Sequence, residues 1–244
     1  MNAKKLSFLL LILVAVACTN RSTSSEQDEM RHWNNVLQQI NALLLENKAR
    51  QTLDLAKQTL PEILESAEKN GTTDTLIYHA RKIFNACGNN YINTKQYKDG
   101  IDYMDSIGNH PLIREHCPHE LLSFKAGLNQ LYGNNPEAVR LAEDYLQLPV
   151  CTSANDFIRQ AEIISGVYMY SGNNLPKAIQ ILEKAIDVYR KGGNFPNMLR
   201  IMSRLGIYYH LSGEYEKAIA TNQEAIATYN DSIAPGNVVI AYGE

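Results

Sequence analysis

The fold is decided by the stretch Leu205-Gly206-Ile207-Tyr208-Tyr209, continued by Gly213-Glu214-Tyr215-Glu216-Lys217-Ala218 and by Ala225. An apolar and aromatic run comes first, a glycine interrupts it, and charged residues then surround a small one. Two apolar-periodic segments separated by a glycine turn predict two helices joined by a short connection. We therefore expect a helical hairpin at this position.

The same markers return along the chain about every forty residues. Glycines occur with gaps of 39, 39 and 40, at Gly88, Gly127, Gly166 and Gly206. Eleven or twelve residues after each glycine comes a small residue, namely Gly100, Ala138, Ala178 and Ala218. Larger side chains would separate closely crossing helices, so small residues allow each hairpin to close. Because one hairpin cannot bury its apolar face alone, the spacing predicts hairpins that stack.

These residues resemble a tetratricopeptide repeat. That family has Leu-Gly and an aromatic residue on its first helix, as in Leu205, Gly206 and Tyr209, and two small residues on its second, as in Ala218 and Ala225. The resemblance covers residues 73–231 and implies an all-α fold, a right-handed α-solenoid of stacked helix-turn-helix repeats. The period is near 40 residues instead of the family's usual length of about 34.

The two ends of the array are expected to differ from its middle. Residues 30–72 are predicted to form a divergent N-terminal hairpin or cap, with Trp33, Leu37, Ile40 and Leu44 on one helix face. Pro61 is expected to kink or divide the second helix. The repeats then occupy residues 73–244, and the last is predicted to be incomplete. This indicates either a short docking helix or a fragment of a longer protein.

The first residues are typical of an export signal. Lys4 and Lys5 precede an apolar run that would rise only about 18 Å as a helix, too short to span a bilayer. Residues 1–17 are thus predicted to be a signal peptide. Ala15-Val16-Ala17-Cys18 resembles a bacterial lipobox, which implies an acylated Cys18. The alternative is an ordinary cleavage site beside a chance cysteine. Residues 18–29, Glu29 included, are predicted to be a flexible, solvated tether.

Composition and motifs argue against several classes of function. With 244 residues, 45% of them hydrophobic, and a formal charge of -3, the chain is neither disordered nor basic enough to predict a nucleic-acid partner. Phosphate-binding, zinc-peptidase and serine-hydrolase motifs do not occur in the sequence. We therefore predict no enzymatic activity and no cofactor.

Histidines and cysteines form one dense group, His116-Cys117-Pro118-His119. A structural zinc site needs four ligands, and nothing local completes this set except His110 or a distant Cys151. We therefore interpret the group as a loop between repeats and predict no metal. In an oxidising compartment a Cys117–Cys151 disulfide remains an alternative to separate thiols, and Cys87 is expected to be buried.

The resemblance also implies a binding surface, because stacked hairpins form a concave groove lined mainly by first helices. Transferring the family's binding face to this sequence gives the predicted groove residues Lys82, Asn85, Asn89, Asn93, Lys125, Gln160, Tyr170, Arg200, Arg204 and His210. The alternative interpretation is a merely solvated helix face.

The sequence predicts a non-enzymatic scaffold or adaptor lipoprotein. It would be exported across the inner membrane, anchored by its lipid at the periplasmic face or outer membrane, and bind a protein or peptide partner. The alternative function is the extracytoplasmic sensor module of a bacterial signalling protein, with a transmembrane helix and an output domain to follow.

Overall fold

A computed structural model describes residues 27–149, 154–192 and 195–227, and throughout these ranges the regular structure is α-helical. The helices are α1 (27–45), α2 (Ala49–Asn70), α3 (Asp74–Asn93), α4 (Tyr97–Ile107), α5 (Pro111–His116), α6 (Pro118–Tyr132), α7 (Asn135–Gln147), α8 (Ala154–Tyr170), α9 (Leu175–Gly192), α10 (Phe195–Ser212) and α11 (Tyr215–Ala227). They belong to two compact units that divide inside α3, after Asn90.

The first unit contains α1, α2 and most of α3. Trp33 and Ile40 are buried as predicted, but Leu44 is 41% exposed. Thus only the first part of α1 uses the predicted apolar face. A polar link joins α1 to α3, since Nε2 of the buried His79 lies 3.0 Å from Oδ1 of Asn34. The predicted boundary between cap and repeats at residues 72–73 stays a prediction.

The predicted tether extends three residues too far, because α1 already begins at residue 27. Glu29, predicted to be a solvated charge, accepts a hydrogen bond from Trp33 Nε1 at 3.4 Å. It also accepts hydrogen bonds from Ser66 and, at 3.4 Å, from Asn70 Nδ2. A buried indole N–H needs an acceptor, and the Glu29 carboxylate provides it while joining the start of α1 to α2.

Pro61 was predicted to kink or divide the second helix, and division is wrong. Helix α2 is continuous from Ala49 to Asn70 with Pro61 in its interior. Proline removes one helical hydrogen bond. Pro61 lies on the exposed side of α2, where water can reach the helix backbone.

The second unit contains the hairpins α6–α7, α8–α9 and α10–α11, each with its two helices packed together. Their turns lie where the sequence predicts them. Three residues in these turns have positive φ, Gly133 at 96°, Asn173 at 44° and Gly213 at 81°, as expected where a helix ends in a tight reversal. Successive hairpins are in contact, because α8 packs on α6 and α10 packs on α9.

The repeated glycines have different roles, which the sequence did not distinguish. A Cβ atom at Gly127 of α6 would lie 2.7 Å from a methyl group of Ile163, so this glycine allows α8 of the next hairpin to approach. A Cβ at Gly206 would instead collide with Asn222 of α11, inside its own hairpin. At Gly166 the nearest such atom is Gln130 Oε1 at 3.9 Å, an ordinary contact.

A continuous apolar core joins these hairpins. It includes Ala178 and Ala185 of α9 and Ala218 and Ala225 of α11, all buried. The small residues of the repeat thus lie where the helices pack closely, as predicted. Within the ranges that the structure describes, no helix is both long and apolar enough to cross a membrane. The signal peptide, Cys18 and the predicted incomplete repeat after Ala227 lie outside those ranges.

Candidate functional site

Helix α10 has one side that the core does not use. From Met198 to Tyr209 every side chain is buried except Arg200, Arg204 and Ile207, and Leu211 continues the series one turn later. The steps between these four residues are 4, 3 and 4, so they lie along one side of the helix. This exposed stripe, together with the facing part of α8, is called the α8–α10 face below.

Both arginines of the α8–α10 face contact one carboxylate of α8. Arg200 Nη2 lies 3.0 Å from Glu162 Oε2, and Arg204 Nη2 lies 3.1 Å from Glu162 Oε1. Arg204 Nη1 also donates a hydrogen bond to the main-chain oxygen of Glu162 at 3.1 Å. Two guanidinium groups thus share one carboxylate, so one positive charge in this cluster is not balanced by Glu162.

One guanidinium nitrogen of the arginine cluster is buried without a partner among the described residues. Nε of Arg200 is buried and has no hydrogen-bond partner within the described structure, whereas Nη2 of the same residue binds Glu162. Burial raises the pKa of the nearby Tyr208, and the charge of Arg204 opposes that rise. The phenol is therefore neutral at ordinary pH. An additional anionic group can accept hydrogen bonds only from the solvent-accessible parts of the two guanidinium groups, which Glu162 already holds in place.

Gln160 does not belong to an open groove, contrary to the prediction. It is only 3% exposed, and its Oε1 accepts a hydrogen bond from the Tyr145 hydroxyl at 3.1 Å. Tyr145 is on α7, so Gln160 joins the second helix of one hairpin to the first helix of the next. A buried phenol usually finds such an acceptor, which is why the amide faces inward.

Two other predicted groove residues are accessible at helix ends. Tyr170, the last residue of α8, is 66% exposed. His210 is exposed near the end of α10, and its ring packs edge-on against Tyr215 with centroids 5.3 Å apart. Both residues lie at the turn end of their hairpins and can extend the α8–α10 face there.

The remaining predicted groove residues have intermediate or high exposure. Lys125 of α6 forms an ion pair with Asp105 of α4 at 2.6 Å. The other four lie on α3: Lys82, Asn85 and Asn89 are half-buried, and Asn93 is exposed. The Lys82 ammonium lies 5.4 Å from the centre of the Tyr78 ring. That these residues line one groove with the α8–α10 face stays a prediction.

The His-Cys group is organised by local structure. The predicted loop over residues 116–119 is almost entirely helical: His116 ends the short helix α5, Pro118 and His119 begin α6, and only the buried Cys117 separates the two helices. His119 Nε2 donates to the main-chain oxygen of Pro149 at 2.7 Å. In the part of the chain that the structure describes, no three His, Cys, Asp or Glu side chains gather as metal ligands. Cys151 lies outside that part, so the disulfide alternative stays open.

Sequence reasoning missed Glu162, which holds the two arginines together. The available signal was weak: Glu162 lies four residues before Gly166, whereas Arg200 and Arg204 lie six and two residues before Gly206. Once first helices are aligned by their glycines, an acidic residue falls midway between the positions of two basic ones. Only the offset between α8 and α10 brings all three together.

A comparison with protein families supports the repeat assignment. The family model described as Tetratricopeptide repeat matches residues 161–231, which include most of α8 and all of α9, α10 and α11. The chain contains tetratricopeptide repeats. Its tetratricopeptide hairpins α8–α9 and α10–α11 are those in which the small-residue pattern of the sequence is most complete.

Solved structures share the fold of these tetratricopeptide repeats. BtubC (BKLC) from P. vanneervenii is 12% identical, with a TM-score of 0.57 over 80% of this chain and 83% of that chain. A Podosopora anserina protein with nearly identical TPR-like repeats, described as a kinesin light chain, is also 12% identical, with a TM-score of 0.51 over 80% of this chain and 92% of that chain. A search of curated proteins finds no match.

The predicted all-α fold of stacked tetratricopeptide-like repeats is confirmed. Repeats of this kind typically serve as scaffolds for protein–protein interaction. At 12% identity the likeness to the solved structures concerns the fold alone. The nature of a partner must therefore be argued from the side chains of this chain.

Proposed function

We propose that the protein is a lipid-anchored scaffold of the bacterial cell envelope that holds an acidic peptide segment of a partner protein on its α8–α10 face. The observation that carries this proposal is the pair Arg200 and Arg204 sharing the single carboxylate of Glu162. A second carboxylate, supplied by the partner, would balance the remaining charge.

The site is prepared for such a ligand before it binds. Glu162 has a side-chain exposure of only 17% and pairs with both guanidinium groups. Their own exposures are 37% and 36%, so each keeps a solvent-accessible part. Because the donors are already oriented, a carboxylate can bind them with little additional ordering of side chains.

Apolar groups extend the face beyond the charges. Ile207 is 37% exposed and Leu211 54% exposed on the same stripe of α10, and Tyr170 stands at the end of α8. Exposed apolar groups next to oriented polar donors are typical of protein-binding surfaces. This combination favours a protein segment over an inorganic anion, which would make no use of the apolar part.

The envelope location rests on the first eighteen residues. Lys4 and Lys5, the apolar run that follows and Ala15-Val16-Ala17-Cys18 together support export, cleavage before Cys18 and acylation of its thiol. Several acyl chains hold a protein on a membrane far more firmly than one.

Neutralising both arginines tests the binding face. In crosslinking capture from native membranes, Arg200→Gln with Arg204→Gln should reduce recovery of the partner about tenfold or more, since a hydrogen bond to a charged group is worth about 1.5–3 kcal/mol. Arg140→Gln is the matched control, because Arg140 is an exposed arginine of α7 paired with Glu137 and Asp144. Capture by the double variant equal to that by the control would refute the proposed face.

Removing the acylated thiol tests the anchor separately. Cys18→Ser should shift the protein from the membrane to the soluble fraction, whereas Thr19→Ser should leave fractionation unchanged. If the Cys18 variant still sediments with membranes in high salt, the lipid anchor is wrong. The binding face would remain to be judged by the capture experiment.

A further inference from the structure

A cavity of 340 Å³ opens in the second unit between α9, α10 and α11, and we call it the α9–α11 pocket. Its walls are formed by Glu183, Ile186, Asp187 and Arg190 of α9, Met202, Leu205 and Tyr209 of α10, and Thr221 and Glu224 of α11. The volume lies within the range of about 300–1,000 Å³ that ligand pockets occupy.

This pocket is distinct from the α8–α10 face. Successive residues of a helix are rotated by about 100°, so Met202, Leu205 and Tyr209 lie about 140–200° around α10 from Arg200. Arg204 lies within about 40° of Arg200. The two sites therefore use opposite sides of α10 and share no residue.

The pocket combines an apolar floor with an acidic rim. Ile186, Met202 and Leu205 are buried and provide the floor. The charged lining groups are three carboxylates, Glu183, Asp187 and Glu224, and one guanidinium, Arg190, which gives a formal charge of -2. A ligand complementary to this lining has an apolar stem and a cationic end.

Arg190 shows that the rim can hold such a cation. Its Nη2 lies 2.6 Å from Glu224 Oε1, and its Nη1 lies 3.4 Å from Asp187 Oδ1. The side chains of Arg190 and Glu224 are 49% and 47% exposed. Because an ion pair this exposed contributes little net stability, a second cation can share or replace it.

The third carboxylate is oriented by the pocket wall. The Tyr209 hydroxyl donates a hydrogen bond to Glu183. Burial raises the pKa of Tyr209, and this hydrogen bond raises it further. The nearby Lys217 is engaged elsewhere: its ammonium lies 2.5 Å from Glu214 and 5.2 Å from the centre of the Tyr209 ring. Glu183 thus faces the pocket without a lysine bound to it at ion-pair distance in the described structure.

We propose that the α9–α11 pocket binds an arginine or lysine side chain from a basic amphipathic segment of a protein partner. The alkyl stem packs on Ile186, Met202 and Leu205, as the long stems of cationic residues do on apolar surface. The cationic end lies among Glu183, Asp187 and Glu224. This proposal goes beyond the proposed function, since it assigns a second site that selects the opposite charge from the α8–α10 face.

Two substitutions with opposite expected effects test the pocket. The probe is a fluorescently labelled peptide in which arginine and leucine alternate, titrated by anisotropy into the full chain in a non-ionic detergent. Asp187→Asn with Glu224→Gln removes two carboxylates and should weaken binding about tenfold or more. Arg190→Gln removes the cation that competes with the peptide for the pocket carboxylates. The affinity for the peptide should therefore rise about threefold or more.

Matched controls keep the result specific. Glu216→Gln removes one exposed carboxylate of α11 outside the pocket and should leave the affinity unchanged, as should Arg140→Gln on α7. A peptide with glutamate in place of arginine should not bind the pocket. Equal binding of the two peptides, or a shift of both pocket variants in the same direction, would overturn the proposal.

The alternative occupant of the α9–α11 pocket is a side chain from a second copy of this chain. Sedimentation of the full chain distinguishes it, because the proposal expects the same oligomeric state for the wild type and for Asp187→Asn with Glu224→Gln. If the wild type dimerises and this variant does not, the pocket belongs to a self-association interface and the proposed partner is wrong.

Discussion

Hairpins α8–α9 and α10–α11 carry corresponding apolar residues forty positions apart, yet these residues are buried to different extents. Val167 of α8 is completely buried, whereas its counterpart Ile207 is 37% exposed. Ile179 of α9 is 7% exposed, and its counterpart Ile219 is 58% exposed. Helix α10 packs on α9, and the described structure ends with α11. An apolar residue at the same repeat position is thus buried in one hairpin and exposed in the next, so the residue type alone does not decide its burial.

A polar pair of positions shows the same dependence. Gln160 and Arg200 are also forty positions apart, and both were predicted to line a groove. Gln160 is buried against Tyr145, whereas Arg200 is half-exposed and paired with Glu162. The same place in the repeat thus holds two hairpins together in one case and presents a charge in the other.

The largest expected effect contrasts the two apolar counterparts. Val167→Asp places a carboxylate in the closed core without a partner and should lower the free energy of unfolding by about 3–5 kcal/mol. Ile207→Asp introduces the same group at an exposed position and should change it by no more than about 0.5 kcal/mol. Urea denaturation of the two variants measures the difference. Equal losses would show that the α10 stripe is packed in solution.

The next largest effect is a loss of stability that should be similar in hairpins α8–α9 and α10–α11. Ala178→Arg and Ala218→Arg each place a long side chain where a small residue is buried in the core, and each should cost at least about 1–3 kcal/mol through overpacking. Thermal melting followed by circular dichroism provides the measurement. An unchanged melting curve for either variant would contradict the close packing assigned to that hairpin.

The smallest expected difference in stability is between variants that affect the polar counterparts Gln160 and Arg200. Tyr145→Phe removes the hydroxyl that donates a hydrogen bond to Gln160. Loss of this buried hydrogen bond should lower the free energy of unfolding by about 1–3 kcal/mol. Arg200→Gln breaks a more exposed ion pair and should cost about 0–1 kcal/mol. The denaturation midpoints of the two variants measure these losses, provided that the denaturant dependence of the unfolding free energy is the same for both. A larger loss for the Arg200 variant would reverse the assigned roles of the two positions.

Local features of the fold were predictable because their causes are local. The glycine turns, the helical class of the segments between them and the small residues of α9 and α11 all follow from the spacing of residue types. Errors arose where tertiary contacts or solvent exposure decide the outcome. Glu29 is held in α1 by Trp33 and Ser66 rather than solvated in a tether, and Pro61 is tolerated because it lies on the exposed side of α2.

The proposed binding surfaces were predictable only in part. The sequence indicated Arg200, Arg204, Tyr170 and His210, and all four are exposed or half-exposed in the structure. It did not indicate Glu162, and it contains no sign of the α9–α11 pocket, whose lining comes from three helices. A repeat pattern reports which face of one helix is polar, but not which residues of adjacent helices lie at the same height.

The sequence by itself determined that this protein is built from helical hairpins with a period near forty residues, because helix periodicity, turn chemistry and small side chains act over short distances. The tertiary structure decided which repeated positions are closed, which charges meet and where a cavity opens. These properties depend on the offset between neighbouring helices. That offset is set by side-chain packing across the seam, such as Gly127 against Ile163, and not by the repeat length.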